Sequence, residues 1–222
     1  PKSYHSTAMN ATSWQWTVTG GTFTGQGTSD IVVTWTTAGT GTVGLKVSNR
    51  CGTNTCSKTV SVEKAPVCAI GGPAQACVSA TGTYTSTGTN VTAWDWTVVG
   101  GTFTGEGTDT IVVTWTTAGT GTVGLKATNR CGDTTCDKSV SVETRPVCTI
   151  DGPAEGCVNG TGRYTSTGAN VTAWSWTVEG GEIVGSATGS SVDVKWTAAG
   201  TGTVSLKVTN RCGQSTCTKL VA

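Results

Sequence analysis

One pattern limits what this chain can fold into: it is written three times. Trp14, Trp94 and Trp174 stand 80 residues apart, and Cys51, Cys131 and Cys212 follow at intervals of 80 and 81. Ser13–Lys64 differs from Ala93–Thr144 at 13 of 52 positions. The third copy is more diverged, keeps the frame and carries one extra residue between Trp176 and Trp196. Self-similarity at a fixed period marks a repeated supersecondary unit. The repeats are expected at 1–64, 65–145 and 146–222. The first lacks the segment equivalent to Pro66–Ala80, because Tyr4 aligns with Tyr84 and Tyr164, and Pro1 with Thr81. The chain therefore reads as a window on a longer array, with any export signal upstream. A subunit whose first strand another chain donates is the rival reading.

Within a copy the hydrophobic period is two. Ile31, Val33 and Trp35 share one face of a strand, as do Val43, Leu45 and Val47. In the middle copy, strands are expected at 67–70, 82–86, 93–99, 102–104, 111–116, 122–128 and 138–143, separated by Gly, Asn and Thr turns. About seven short strands with regular turns make an immunoglobulin-like β-sandwich, all-β and in tandem. All nine tryptophans (Trp14, Trp16, Trp35, Trp94, Trp96, Trp115, Trp174, Trp176 and Trp196) recur at strand positions and are expected in the cores.

Small sandwiches bury modest cores and gain from cross-links. Ten cysteines are present: Cys51, Cys56, Cys68, Cys77, Cys131, Cys136, Cys148, Cys157, Cys212 and Cys217. Disulfides in an oxidising compartment are expected rather than zinc, since the only histidine is His5. Cys131 and Cys136 flank Gly-Asp-Thr-Thr, which reads as a hairpin tip. That suggests local bridges, Cys51–Cys56, Cys68–Cys77 and Cys131–Cys136, with the third copy alike. A bridge from the first strand to the hairpin, Cys68 to Cys136, is the alternative, because sequence alone does not set connectivity.

The formal net charge is +1 and charged residues make up 12%, so nothing marks a nucleic-acid surface. No apolar run is long enough for a membrane span. His5 aligns with Thr85 and Thr165, and no carboxylate pair recurs in all copies as acid–base work would need. No catalytic residue, cofactor or metal is expected. Glu63 and Glu143 recur at the joints, and Arg50, Arg130 and Arg211 recur beside a cysteine. Lys46, Lys126 and Lys207 alternate outward. Asn10, Asn90 and Asn170 head Asn-x-Thr sequons at one place in each copy. They are candidate glycosylation sites or turn residues. The joints, about three residues long and stiffened by Pro66 and Pro146, predict a semi-rigid rod advancing roughly 35–40 Å per copy.

Trp94-Asp95-Trp96-Thr97-Val98 with Gly100-Gly101, Ile111-Val112-Val113-Thr114-Trp115 and Thr128-Asn129-Arg130-Cys131-Gly132 together resemble the PKD-like and Ig-like repeats of Bacteroidota surface proteins. The likeness is strongest to giant adhesins of the gliding-motility type, exported by type IX secretion. It covers the whole chain. It implies PKD-like sandwiches, an outer-surface or secreted location, and a structural and adhesive role as stalk or filament. The partners implied are neighbouring repeats, surface polysaccharide or other cells, and further copies in a filament. A carbohydrate-binding or spacer array of a secreted polysaccharide-degrading enzyme is the alternative. Thr110 and Thr134 lie in segments resembling the short O-glycosylation motif of such bacteria. Four cysteines per copy depart from the commoner two.

Overall fold

A computed structural model describes residues 1–222. Every regular element is a strand. The first copy holds β1 (Lys2–His5), β2 (Ser13–Thr19), β3 (Gly21–Thr24), β4 (Asp30–Trp35), β5 (Gly39–Asn49) and β6 (Gly52–Val62). The second holds β7 (Ile70–Gly71), β8 (Gln75–Cys77), β9 (Thr81–Ser86), β10 (Ala93–Val99), β11 (Gly101–Thr104), β12 (Thr110–Trp115), β13 (Gly119–Asn129) and β14 (Gly132–Glu143). The third holds β15 (Ile150–Asp151), β16 (Thr161–Ser166), β17 (Ala173–Glu179), β18 (Gly181–Val184), β19 (Ser191–Trp196), β20 (Gly202–Asn210) and β21 (Gly213–Val221).

Each copy is two sheets. In the second they run β11-β12-β9-β7 and β10-β13-β14-β8; in the third, β15-β16-β19-β18 and β17-β20-β21; in the first, β1-β4-β3 and β2-β5-β6. Two facing sheets of three or four strands each, joined out of order, make an immunoglobulin-type sandwich. The chain forms two compact units. One comprises Pro1–Val67 with Thr89–Thr92 and Ala127–Thr134; the other comprises Cys68–Gly88, Ala93–Lys126 and Thr135–Ala222.

Alternation builds the cores. On β12, Ile111, Val113 and Trp115 have no exposure, while Val112 points outward. On β19 and β20, Val192, Val194 and Trp196 meet Val204, Leu206 and Val208. Burying such a side chain contributes roughly 1.5–3 kcal/mol. The second tryptophan of each Trp-x-Trp pair is buried, and its indole N–H donates to a loop carbonyl: Trp16 to Thr28 at 2.9 Å, Trp96 to Thr108 at 2.9 Å, Trp176 to Gly189 at 2.8 Å. The first of each pair, Trp14, Trp94 or Trp174, is half-buried on the same side of the strand. Trp115 and Trp196 are buried, whereas Trp35 is half-buried.

The long hairpin corrects the expected turn. Its strands pair to the tip, with Asn49 opposite Gly52 and Asn210 opposite Gly213, so the turn is Arg50-Cys51, Arg130-Cys131 or Arg211-Cys212. Cys131 thus sits in the turn, while Cys136 lies five residues along β14. Five extended residues span about 16 Å, far beyond disulfide reach. The local pairing scheme therefore fails. The bridges are Cys68–Cys136 and Cys148–Cys217, each from a leading segment to the hairpin of its own copy, and Cys77–Cys212. Cys51, Cys56, Cys131 and Cys157 are thiols, and the other six of the ten expected disulfide cysteines are bonded. The expected strand 67–70 shrinks to β7. The short β8, parallel to β14, had no signal in Gln75-Ala76-Cys77, which lacks a β-branched residue.

Candidate functional site at the joint between repeats

The joint between the second and third copies lies within one compact unit. Strand β14 ends at Glu143, and Thr144-Arg145-Pro146 lead into the third copy. The hairpin turn of that copy folds back onto this linker. Asn210, only 6% exposed, is its hub. The Asn210 Nδ2 amide donates to the carbonyls of Thr144 and Asn170, both at 2.9 Å, and Oδ1 accepts from the backbone N–H of Cys212 at 2.8 Å. One side chain thereby ties linker, loop and turn. Ser215 Oγ donates to the carbonyl of Pro146 at 2.6 Å, and Pro146 is buried.

Charge and sulfur complete the joint. Arg211 Nε meets Glu143 Oε2 at 3.1 Å, and Nη2 donates to the Ser141 carbonyl at 3.1 Å. Beside them Cys212 bonds Cys77, with Cα atoms 5.5 Å apart. Cys77 reaches this point because β8 lies along β14 with Cys77 opposite Glu143. Partly exposed ion pairs contribute about 0–1 kcal/mol. With the other two bridges formed, this bond closes an effective loop of about 26 residues, which stabilises by about 3.5 kcal/mol in the chain-entropy account. Sulfur and the buried amide therefore dominate the joint.

The same device recurs in the other unit. Asn129 Nδ2 donates to Lys64 O at 2.8 Å and Asn90 O at 2.7 Å, Oδ1 accepts from Cys131 N–H at 2.8 Å, and Arg130 pairs with Glu63. The Cys131 thiol donates to the Glu63 carbonyl at 3.5 Å, where Cys212 Sγ stands 3.6 Å from that of Glu143. The recurrence of Glu and of Arg beside Cys was visible in the sequence; their meeting across a joint was not. The asparagine was missed, although Asn-Arg-Cys-Gly in all three copies was the available signal. Replacing Asn210 with alanine strands two carbonyls and an N–H. Chemical denaturation is expected to show a loss of about 1–3 kcal/mol.

The sequence profile of the PKD-like domain fits residues 4–62, 63–142 and 143–222. The chain belongs to the PKD-like domain family. These PKD-like repeats also resemble solved immunoglobulin arrays. The I-band fragment I67–I69 of titin matches at 15% identity and TM-score 0.55, covering 94% of this chain and 87% of that one. An E-to-A variant of the same titin domains matches at 15% identity and TM-score 0.56, with the same coverage. At such identity the likeness shows the fold. No functionally curated protein matches the sequence. Ig-like and PKD-like domains in tandem are typically structural or adhesive modules rather than catalytic ones.

The other candidate residues of the PKD-like repeats are placed as follows. Asn10, Asn90 and Asn170 are exposed and left-handed, at φ 60°, 60° and 57°. Asn tolerates that region better than most residues. Their carbonyls accept from Asn49, Asn129 and Asn210, so each serves the loop that the hub holds. Thr110 is half-buried on β12 with its hydroxyl on Thr85 Oγ1 at 3.3 Å, and Thr134 is half-buried on β14. His5 is exposed with Nδ1 2.5 Å from Asp30 Oδ1. The Ser29 hydroxyl and then His5 hold the Asp30 carboxyl below its usual range. Burial raises the Tyr84 and Tyr164 phenols above theirs. No group of three or more His, Cys, Asp or Glu side chains is placed to hold a metal.

Proposed function

We propose that the chain is a structural, adhesive segment of a long extracellular surface protein or filament, acting as a disulfide-stapled, semi-rigid stalk. Repeat limits at 1–64, 65–145 and 146–222 fit this reading, since a buried proline, Pro66 or Pro146, stands within the first two residues of each later copy. The observation that carries it is Cys77–Cys212, a covalent bond between successive copies. A bond of this kind adds nothing to a binding or catalytic face; it removes freedom at a joint. Persistent disulfides also favour an oxidising, extracellular setting, as does the resemblance to surface adhesins. The carbohydrate-binding alternative needs exposed aromatic platforms. The large hydrophobic side chains left exposed are aliphatic, such as Met9, Val99 and Leu220.

The test uses protein from its native source, alkylated without reductant, together with electron micrographs of the full-length molecule. The expected result is that Cys68, Cys77, Cys136, Cys148, Cys212 and Cys217 escape alkylation and that the molecules are extended. Alkylation of those six cysteines, or compact particles with repeats folded back, overturns the reading.

A further inference from the structure

We propose that the first copy, together with the turn of the second, forms a seat for one cysteine-bearing strand of the Pro66–Ala80 kind. That strand closes disulfides to both Cys56 and Cys131. The proposal stands on geometry within a single compact unit, Pro1–Val67 with Ala127–Thr134, and does not depend on the stalk reading.

The second and third copies show what such a segment does. Pro66–Ala80 enters with Val67 N–H on Thr89 O and Thr87 N–H on Ala69 O, and bonds through Cys68 to Cys136. It then pairs as β7 with β9 and as β8 with β14. Finally it covers Trp115, exchanging backbone hydrogen bonds through Ser79 and Ala80. The third copy repeats this with Val147 on Ala169, Cys148–Cys217, Gly156 on Ala222, and Asn159 and Gly160 on Trp196.

In the first copy the corresponding surface is a groove of about 280 Å³ lined by Tyr4, Thr7, Trp16, Leu45, Val47 and Cys56. Cys56 stands opposite Leu45, as the bonded Cys217 stands opposite Leu206. Side chains sealed in the other copies are open here. Trp35 is half-buried where Trp115 has no exposure, and Val60 and Val62 are half-buried where Val140 and Val142 are 0% and 3% exposed. The edge of β6 that corresponds to the β8-paired edge of β14 bears no partner strand. An unpaired edge beside an apolar groove is a template for strand addition.

The two thiols set the occupant's sequence. A strand laid along β6 in the register of β8 brings its second cysteine beside Glu63. There the Cys131 thiol waits 3.5 Å from the Glu63 carbonyl, as Cys212 waits beside Glu143 for Cys77. Its first cysteine, nine residues earlier as Cys68 precedes Cys77, meets Cys56 in the groove. Each bridge forms one S–S bond from two thiols. The two protons and two electrons released reduce one glutathione disulfide to two glutathione thiols.

The test mixes the 222-residue chain with a synthetic peptide of the sequence Pro66–Ala80 in a glutathione redox buffer, followed by non-reducing digestion and mass spectrometry. The expected product is one peptide per chain, bridged at once to Cys56 and Cys131. It forms at least about tenfold faster than with a scrambled peptide of the same cysteine spacing, because seating raises the effective thiol concentration. Equal rates for the two peptides overturn the proposal. So does attachment spread evenly over Cys51, Cys56, Cys131 and Cys157, or a Cys51–Cys56 bridge closing instead.

Discussion

Trp115→Ala is expected to destabilise the second copy by about 3–5 kcal/mol, a large part of what a domain of this size possesses. Trp115 has no exposure and packs edge-on against Tyr84, ring centroids 6.1 Å apart. The face of the indole lies so close to Gly121 that a Cβ there would come within 2.2 Å of the ring. Nothing can collapse into the space an alanine leaves, since the backbone of Ser79 and Ala80 is already hydrogen-bonded across it. Trp35→Ala removes the same ring from a half-buried place in the first copy and is expected to cost measurably less. Denaturant titrations with the disulfides kept oxidised read both values. Equal losses would mean that the leading segment does not seal the core.

That Trp–Gly contact also shows how much of the fold could be read from residues alone. Strand alternation, the Trp-x-Trp pair and the copy number were legible because each rests on local periodicity. Gly41, Gly121 and Gly202 read only as turn residues, yet each is a slot for a tryptophan face, with a Cβ-to-ring distance of 2.2–2.3 Å. Sequence carries no sign of what packs on a glycine.

The hairpin was misplaced for a related reason. Gly-Asp-Thr-Thr has turn composition, but the Asn129 side chain caps the Cys131 N–H and makes Arg130-Cys131 the turn instead. Once the turn moves, the strands lengthen and neighbouring cysteines separate. The first-strand-to-hairpin pairing that had stood as the alternative becomes the one within reach. The bond between copies lay outside every local scheme, because its ends are 135 residues apart.

Removing that bond is expected to have its largest mechanical effect in a chain that also lacks Cys68–Cys136. The three bridges overlap along the chain, Cys68–Cys136, Cys77–Cys212 and Cys148–Cys217. Tension between Cys68 and Cys217 therefore has two short routes. One crosses to Cys136, runs to Cys148 and crosses again, about 12 steps; the other runs to Cys77, crosses to Cys212 and leaves at Cys217, about 14 steps. The oxidised chain is held by the shorter route, and a Cys77→Ser, Cys212→Ser double variant is held by the same one, so the two are expected to stretch to the same length. A Cys68→Ser, Cys136→Ser variant leaves only the short route through Cys77–Cys212. Removing Cys77 and Cys212 there as well leaves the run from Cys68 to Cys148 taut, about 80 steps, so at a reach of about 3.5 Å per residue the gain is about 230 Å. Full release requires reduction of all three bonds. Single-molecule stretching distinguishes these lengths. A Cys68→Ser, Cys136→Ser chain that gives up the added length without reduction would show that Cys77 and Cys212 are not joined, and the covalent account of the joint would fail with it.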